Sequence, residues 1–126
     1  MARILVIEDN PDNYDLVRFV LERAGHEVVP AFDGRAGLQA AAEIEPDLIL
    51  LDLAIPEVDG WEAARQLKAE KGTQAIPLVA LTAHTLPGDR RRALEAGCDG
   101  YISKPIDVKT FANVIAHYLT SDYQDE

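Results

Sequence analysis

The sequence has a single cysteine, Cys98, and few basic residues. One cysteine cannot form an internal disulfide, and its isolation fits a reducing compartment. Lys and Arg number 12 against 22 Asp and Glu, so the chain has a formal net charge of −10. A chain this acidic cannot hold a nucleic-acid backbone through general electrostatics, and anionic membranes repel it. It suits basic partner surfaces or bound cations.

Long apolar runs and a signal peptide are also missing. No apolar stretch approaches the roughly 20 residues that a membrane-spanning helix needs, and Met1-Ala2-Arg3 leads into a short run that soon turns acidic. We therefore expect a soluble, cytoplasmic protein. The 126 residues, 48% of them apolar, suffice for one core and not for two. We expect one domain over residues 1–120 and a polar, frayed tail over 121–126; the start at Met1 and this acidic tail favour a complete protein.

Short apolar runs alternate along the chain with amphipathic stretches. The runs predict five β-strands, at residues 4–7, 28–31, 48–51, 76–81 and 101–102. A helix is predicted after each strand, the first with Asn10 as N-cap and Pro11 in its first turn, ending at Gly25. The last helix is expected to carry on one face Val108, Phe111, Val114, Ile115, Tyr118 and Leu119. Five β-then-α units predict a parallel sheet with helices on both faces and right-handed crossovers.

Polar side chains follow four of these five predicted strands. In open parallel sheets, ligands bind beyond the carboxyl ends of the strands. Because these ends share one edge of the sheet, we expect the side chains there to converge in one cleft although they are distant in sequence. The residues concerned are Glu8 and Asp9 after the first strand, Asp52 after the third, Thr82 after the fourth and Lys104 after the fifth.

Such a cluster has a specific chemistry. Three carboxylates close together repel one another and raise one another's pKa, and a divalent cation lowers that cost. Oxygen ligands without His or Cys favour Mg²⁺ or Mn²⁺. Asp52, on the predicted central strand, is best placed as a nucleophile that forms an acyl phosphate. Lys104 would then pair with one phosphoryl oxygen as a point charge, and the Thr82 hydroxyl would donate to another.

The chain resembles the receiver domain of two-component response regulators, of the single-domain kind to which the chemotaxis regulators belong. Any one matching motif is weak, but four of them in order, each at its own strand, are very specific. The resemblance covers about residues 2 to 120. Its motifs are Ile4-Leu5-Val6-Ile7-Glu8-Asp9-Asn10, Asp47-Leu48-Ile49-Leu50-Leu51-Asp52-Leu53 with Pro56 and Asp59-Gly60, Ala80-Leu81-Thr82-Ala83, and Gly97-Cys98-Asp99-Gly100-Tyr101-Ile102-Ser103-Lys104-Pro105.

This resemblance implies a doubly wound, flavodoxin-like domain with strand order 2-1-3-4-5. It implies that Asp52 accepts a phosphoryl group from a phosphohistidine of a histidine kinase or a phosphotransfer protein. The implied ligands of Mg²⁺, or of Mn²⁺ in its place, are Asp9, Asp52 and the backbone carbonyl of Ala54, with Glu8 assisting through water.

The resemblance also implies how the signal leaves the site. Lys104 and Thr82 bind the phosphoryl group, Thr82 moves toward it, and Tyr101 turns inward into the space that opens. The face made by the fourth helix, fifth strand and fifth helix is thereby remodelled for a separate partner protein. The Lys104–Pro105 peptide bond is implied to be cis. No enzymatic activity is implied beyond promotion of the protein's own phosphorylation and dephosphorylation.

Two other classes of function stay open from the residues. A small-molecule aspartyl-phosphate phosphatase normally has an Asp-x-Asp signature, whereas Asp52 is followed by Leu53-Ala54. A phosphorylation-independent binding module normally lacks an acidic residue or the lysine, and none of these is lost here. A nucleotide-binding domain is excluded because no glycine-rich loop follows the first strand.

Several of the site residues also fit ordinary structural roles. The pair Glu8-Asp9 suits the start of a helix, where the macrodipole favours acids, and Thr82 suits a helix cap. Taken alone, Lys104 fits an ordinary surface lysine, and Tyr101 fits a half-buried aromatic residue of a strand. Only their combination favours the functional interpretation.

Residues outside the cluster carry weaker predictions. Cys98 is predicted to be a small buried side chain rather than a redox site, and Trp61 fits packing and partner contact equally. The basic run over residues 89–92 fits a solvated helix face or a partner-facing patch. Ala54 offers no polar group to orient a water; in the family this position and that of His84 tune hydrolysis of the acyl phosphate, which predicts slow self-dephosphorylation.

Overall fold

The structure, a computed structural model, describes residues 2–53, 60–82, 87–104 and 106–119. The predictions for Ala54, His84, the Lys104–Pro105 bond and the tail over 121–126 lie outside these ranges. Within them, no helix has both the length and the apolar composition needed to cross a membrane.

Five strands alternate with five helices along the described chain. The strands are β1 (Arg3–Ile7), β2 (Glu27–Ala31), β3 (Leu48–Asp52), β4 (Leu78–Thr82) and β5 (Gly100–Ser103). The helices are α1 (Pro11–Arg23), α2 (Gly34–Ile44), α3 (Gly60–Ala69), α4 (Pro87–Glu95) and α5 (Phe111–Leu119). All strand pairs are parallel and the order is β2-β1-β3-β4-β5, which confirms the predicted sheet.

The core has two halves, one on each face of the sheet. Successive side chains of a strand point to opposite faces, so Leu5 and Ile7 of β1 join one half while Ile4 and Val6 join the other. Helices α2, α3 and α4 cover the first face, and helices α1 and α5 cover the second. This double covering explains why β3 is buried along its whole length and reads as a continuous apolar run.

Local capping fixes the ends of the helices. The Asn10 side chain accepts a hydrogen bond of 3.0 Å from the backbone N–H of Asn13, as predicted for an N-cap. Asp33 does the same for α2, accepting from the N–H of Ala36 at 2.7 Å. Gly25, with φ +93°, follows the end of α1 in the left-handed region, which glycine occupies without strain.

The prediction for the start of β4 is wrong by two residues. The strand begins at Leu78 rather than at residue 76. The Ile76 carbonyl accepts a hydrogen bond of 2.9 Å from Lys68 Nζ, and the Ile76 N–H closes a turn onto Thr73, so Ile76 belongs to the preceding turn. The same Lys68 ammonium is 2.7 Å from Asp99 Oδ2, which also accepts from the Leu78 N–H at 2.8 Å. The Lys68–Asp99 network thus joins α3 to the beginnings of β4 and β5.

The predicted apolar face of the last helix is also partly wrong. Val108 lies in the turn before α5 and is 51% exposed, because Asp107 closes that turn by accepting backbone hydrogen bonds from Thr110 and Phe111. Val114 lies on the helix but is exposed as well. Phe111 and Ile115 are the side chains of α5 that the core buries fully.

Candidate functional site

Five of the predicted site residues lie at the carboxyl edge of the sheet: Glu8, Asp9, Asp52, Thr82 and Lys104. Glu8 follows β1 directly, Asp52 ends β3, Thr82 ends β4 and Lys104 follows β5. Backbone hydrogen bonds continue the sheet to this edge: the Glu8 N–H donates to Ala31 at 2.9 Å, and the Lys104 N–H donates to Thr82 at 2.8 Å. The expectation that distant polar residues meet at one edge is therefore confirmed.

Three carboxylates form a compact acidic cluster at this edge. Glu8, Asp9 and Asp52 each offer an oxygen atom, and these atoms all lie within 4.8 Å of one another. Glu8 and Asp52 are buried, whereas Asp9 is exposed. A donor set made of oxygen alone, open to solvent on one side, fits a hard divalent cation that keeps part of its water shell. These residues can therefore hold a metal ion.

Lys104 supplies a positive charge between the two buried acids of the cluster. Its Nζ lies 2.8 Å from Asp52 Oδ2 and 2.8 Å from Glu8 Oε1. Burial lowers the pKa of Lys104, but hydrogen bonds to Asp52 and Glu8 outweigh that effect, so the pKa is raised and the side chain is a stable cation. With every acid of the cluster ionised, one ammonium against three carboxylates leaves a net negative site that favours a further cation.

Glu8 is the residue most strongly perturbed by this environment. Its pKa is raised to about 7, first by burial and then by its hydrogen bond to Asp52, while Lys104 acts in the opposite direction. The backbone N–H of Asn10 also donates to Glu8 Oε2 at 3.2 Å and lowers the pKa slightly. The sequence predicted that repulsion between the carboxylates raises their pKa. For Glu8 the structure gives the same direction, with burial as the larger cause.

Thr82 and Tyr101, the two predicted switch residues, lie on the neighbouring strands β4 and β5. Asp52 is level with Leu81 of the neighbouring strand β4, so Thr82 stands one residue further toward the edge. Thr82 is fully buried. Tyr101 lies on β5, opposite Ala80, with a half-buried ring that packs on the core and a buried hydroxyl oxygen. Their movement on phosphorylation stays a prediction.

Two residues that the sequence left outside the cluster have clear positions. Cys98 is 5% exposed, and burial raises the pKa of its thiol to about 12, which confirms a buried rather than reactive cysteine. Trp61 packs on the core at the start of α3, and the guanidinium carbon of Arg92 lies 4.2 Å from the centre of its ring. Sequence reasoning missed this contact because no local spacing links α3 to α4.

Comparison with known proteins agrees with this geometry. The family model of the response regulator receiver domain matches residues 4–116. The polar-differentiation response regulator DivK of Brucella ovis is 40% identical over 116 residues, which cover 92% of this chain and 94% of that protein. DivK of Brucella anthropi matches to the same extent.

Solved structures give the same result. The receiver domain of the sensor histidine kinase PA1611 of Pseudomonas aeruginosa PAO1, whose structure has a magnesium ion coordinated in the active site cleft, is 32% identical with a TM-score of 0.87, covering 94% of this chain and 97% of that one. The chemotaxis protein CheY4 of Vibrio cholerae is 27% identical with a TM-score of 0.87, covering 94% and 98%. The sheet order, the acidic cluster with its lysine and these similarities agree, and the chain belongs to the response regulator receiver domain family.

Proposed function

We propose that Asp52 of this receiver domain accepts a phosphoryl group from a phosphohistidine on a histidine kinase or a histidine phosphotransfer protein. The observation that carries the proposal is the contact of Asp52 with a lysine ammonium inside a cluster of three carboxylates. Lone buried acids are normally neutralised by one partner, and a surplus of acids around a single lysine is unfavourable unless further positive charge arrives.

The transfer step uses Asp52 as the nucleophile. A carboxylate oxygen of Asp52 forms a bond to phosphorus while the phosphorus–nitrogen bond of the donor breaks, and the electron pair of that bond returns to the imidazole nitrogen. Asp52 becomes an acyl phosphate, and the donor histidine is regenerated. The position of Asp52 at the end of a strand whose side chains are all buried restricts its motion and holds the oxygen in place.

Glu8, Asp9 and Asp52 are the side chains that would hold Mg²⁺, or Mn²⁺ in its place. A divalent cation bound there supplies positive charge that offsets repulsion between the carboxylates and the incoming phosphoryl group. The exposed position of Asp9 leaves this side of the cluster open to solvent. A magnesium ion in the active site cleft of the PA1611 receiver domain supports the same arrangement here.

Lys104 and Thr82 bind the transferred group in this proposal. The Lys104 ammonium exchanges a carboxylate oxygen for a phosphoryl oxygen, which requires only a small rotation of a flexible side chain. The Thr82 hydroxyl, one residue beyond Asp52 on the neighbouring strand, donates to a second oxygen. Tyr101 then packs into the space that Thr82 leaves, and the surface of α4, β5 and α5 changes for a separate target protein.

The output of the domain is a shift between conformations rather than a released product. In this proposal the domain is not an enzyme, and it promotes only its own phosphorylation and dephosphorylation. We place this activity in the cytoplasm, because a chain with a single cysteine fits a reducing compartment.

Acetyl phosphate with Mg²⁺, followed by intact mass spectrometry, tests this proposal. The wild type should gain one phosphoryl group, whereas Asp52→Asn should gain none. Asp15→Asn is the matched control, since it removes the same charge from an exposed position on α1 and should be labelled like the wild type. A wild type that stays unlabelled, or an Asp52→Asn variant labelled as fast as Asp15→Asn, would refute the proposal and favour a phosphorylation-independent binding module.

A further inference from the structure

The contact between Trp61 of α3 and Arg92 of α4 joins two helices on one face of the sheet. The guanidinium carbon of Arg92 is 4.2 Å from the centre of the Trp61 ring, a distance at which a cation is attracted by the ring. We propose that this stack holds α4 against α3 in the unphosphorylated protein and opposes the rearrangement of the α4 surface, so that Arg92 acts as a positioning residue for signalling. The inference rests on the function proposed above.

Trp61 is firmly linked to the phosphoacceptor. The preceding residue, Gly60, lies so close to Leu53 that a Cβ atom on Gly60 would be 2.3 Å from the Leu53 Cα atom. Leu53 directly follows Asp52, and the Trp61 ring itself packs on the core. The start of α3 is therefore fixed relative to Asp52, and the indole offers α4 a surface whose position depends on the site.

Helix α4, in contrast, buries little apolar surface through the side chains that the structure describes. Among those of its side chains that the structure describes, Ala93 is the one that is buried, and Ala96 is buried just after the helix end. Alanine removes only a small area from water, and Leu94 is 47% exposed. Among the side-chain contacts of α4 that the structure describes, the stack of Arg92 on Trp61 is therefore a substantial one.

The stack belongs to the unmodified state of the site. Lys104 contacts the Asp52 carboxylate directly, which is the arrangement of an aspartate without a phosphoryl group. A contact present in one state and lost in the other biases the equilibrium between them by its own free energy. Removal of the stack should therefore make phosphorylation or its mimics more favourable.

A simpler role for Arg92 is electrostatic. It lies in the last turn of α4, where any cation interacts favourably with the helix dipole. Two variants separate this role from stacking. Arg92→Lys keeps the charge but lacks the planar group that stacks on an aromatic face. Arg91→Ala removes a charge from the neighbouring exposed position of the same helix.

The test is a titration with beryllium fluoride, a phosphoryl mimic, at saturating Mg²⁺, followed by calorimetry. Binding to Arg92→Ala should be about two- to five-fold tighter than to the wild type, as expected for loss of one exposed cation–ring contact. Arg92→Lys should lie between the two, and Arg91→Ala should match the wild type. Trp61 is the single tryptophan of the chain, so its emission gives a second readout, which should change on binding in the wild type and much less in Arg92→Ala.

Three outcomes would overturn the inference. Arg92→Ala binding equal to that of Arg91→Ala, or weaker, means that the stack does not oppose the switch. A lower melting temperature of Arg92→Ala without tighter binding means that the contact is merely structural. A wild type that binds no beryllium fluoride removes the proposed function and this inference together, whereas a responsive wild type with the first or second result removes the inference alone.

Discussion

Substitution of Gly60 by alanine should destabilise the protein and disturb the site. A Cβ atom at this position would lie 2.3 Å from Leu53 Cα and 2.7 Å from the Leu53 carbonyl carbon and oxygen. These are backbone atoms, so no side-chain rotation relieves the overlap, and either the end of β3 or the start of α3 must move. Overpacking of this kind costs typically about 1–3 kcal/mol of unfolding free energy. The gain in helix propensity from glycine to alanine, at most about 1 kcal/mol, is smaller at the first residue of a helix.

Urea unfolding followed by circular dichroism measures this loss. Gly72→Ala is the matched control: nothing lies within 4 Å of a Cβ atom there, so its unfolding free energy should stay within about 0.5 kcal/mol of the wild type. Because Leu53 follows Asp52, Gly60→Ala should also be labelled more slowly by acetyl phosphate than Gly72→Ala. A Gly60→Ala protein as stable as Gly72→Ala would refute the argument that the two backbones are in contact.

Three further predictions concern a titrating acid, the thiol and the last helix. The pKa of Glu8 is raised to about 7, so the folded protein without metal holds a proton that the unfolded chain releases near pH 4.5. In chelator, the unfolding free energy of the wild type should therefore fall more steeply than that of Glu8→Gln as the pH rises from about 4.5 to 7. Equal slopes for the two proteins would contradict the raised pKa. Cys98, with a pKa of about 12 and little exposure, should react with iodoacetamide at pH 8 much more slowly in the native protein than in urea, and equal rates would show that the thiol is accessible. A Cβ atom on Gly100 would lie 2.3 Å from the ring and hydroxyl of Tyr118. Gly100→Ala should therefore lower the unfolding free energy in urea by about 1–3 kcal/mol, and a second substitution, Tyr118→Leu, should relieve the overlap. If Gly100→Ala alone is as stable as the wild type, α5 adjusts freely.

The parallel topology is what made the site predictable from the sequence. Four of the five apolar runs are followed by polar residues, and parallel strands must present those ends on one edge of the sheet. The meeting of Glu8, Asp52 and Lys104 therefore follows from the order of the elements. The capping of α1 by Asn10 was equally predictable, because the signal is local.

Contacts between remote side chains were not predictable in the same way. The start of β4 depends on the hydrogen bond from the Lys68 ammonium to the Ile76 carbonyl, which leaves Ile76 outside the strand. No hydrophobic pattern within β4 predicts this contact. The stack of Arg92 on Trp61 likewise depends on how two helices lie on the sheet. Periodicity reports which side of an element faces the core, not which partner lies beyond it.

The two lysine contacts at the ends of the edge strand β5 differ in what can alter them. At the start of β5, Asp99 is held by Lys68 through groups that take no part in the proposed phosphoryl transfer. At its end, Lys104 contacts Asp52, the carboxylate that the proposed phosphorylation would modify. Phosphorylation of Asp52 would therefore change the partner of one end of β5, from a carboxylate oxygen to a phosphoryl oxygen, while the other end of the strand keeps its contact.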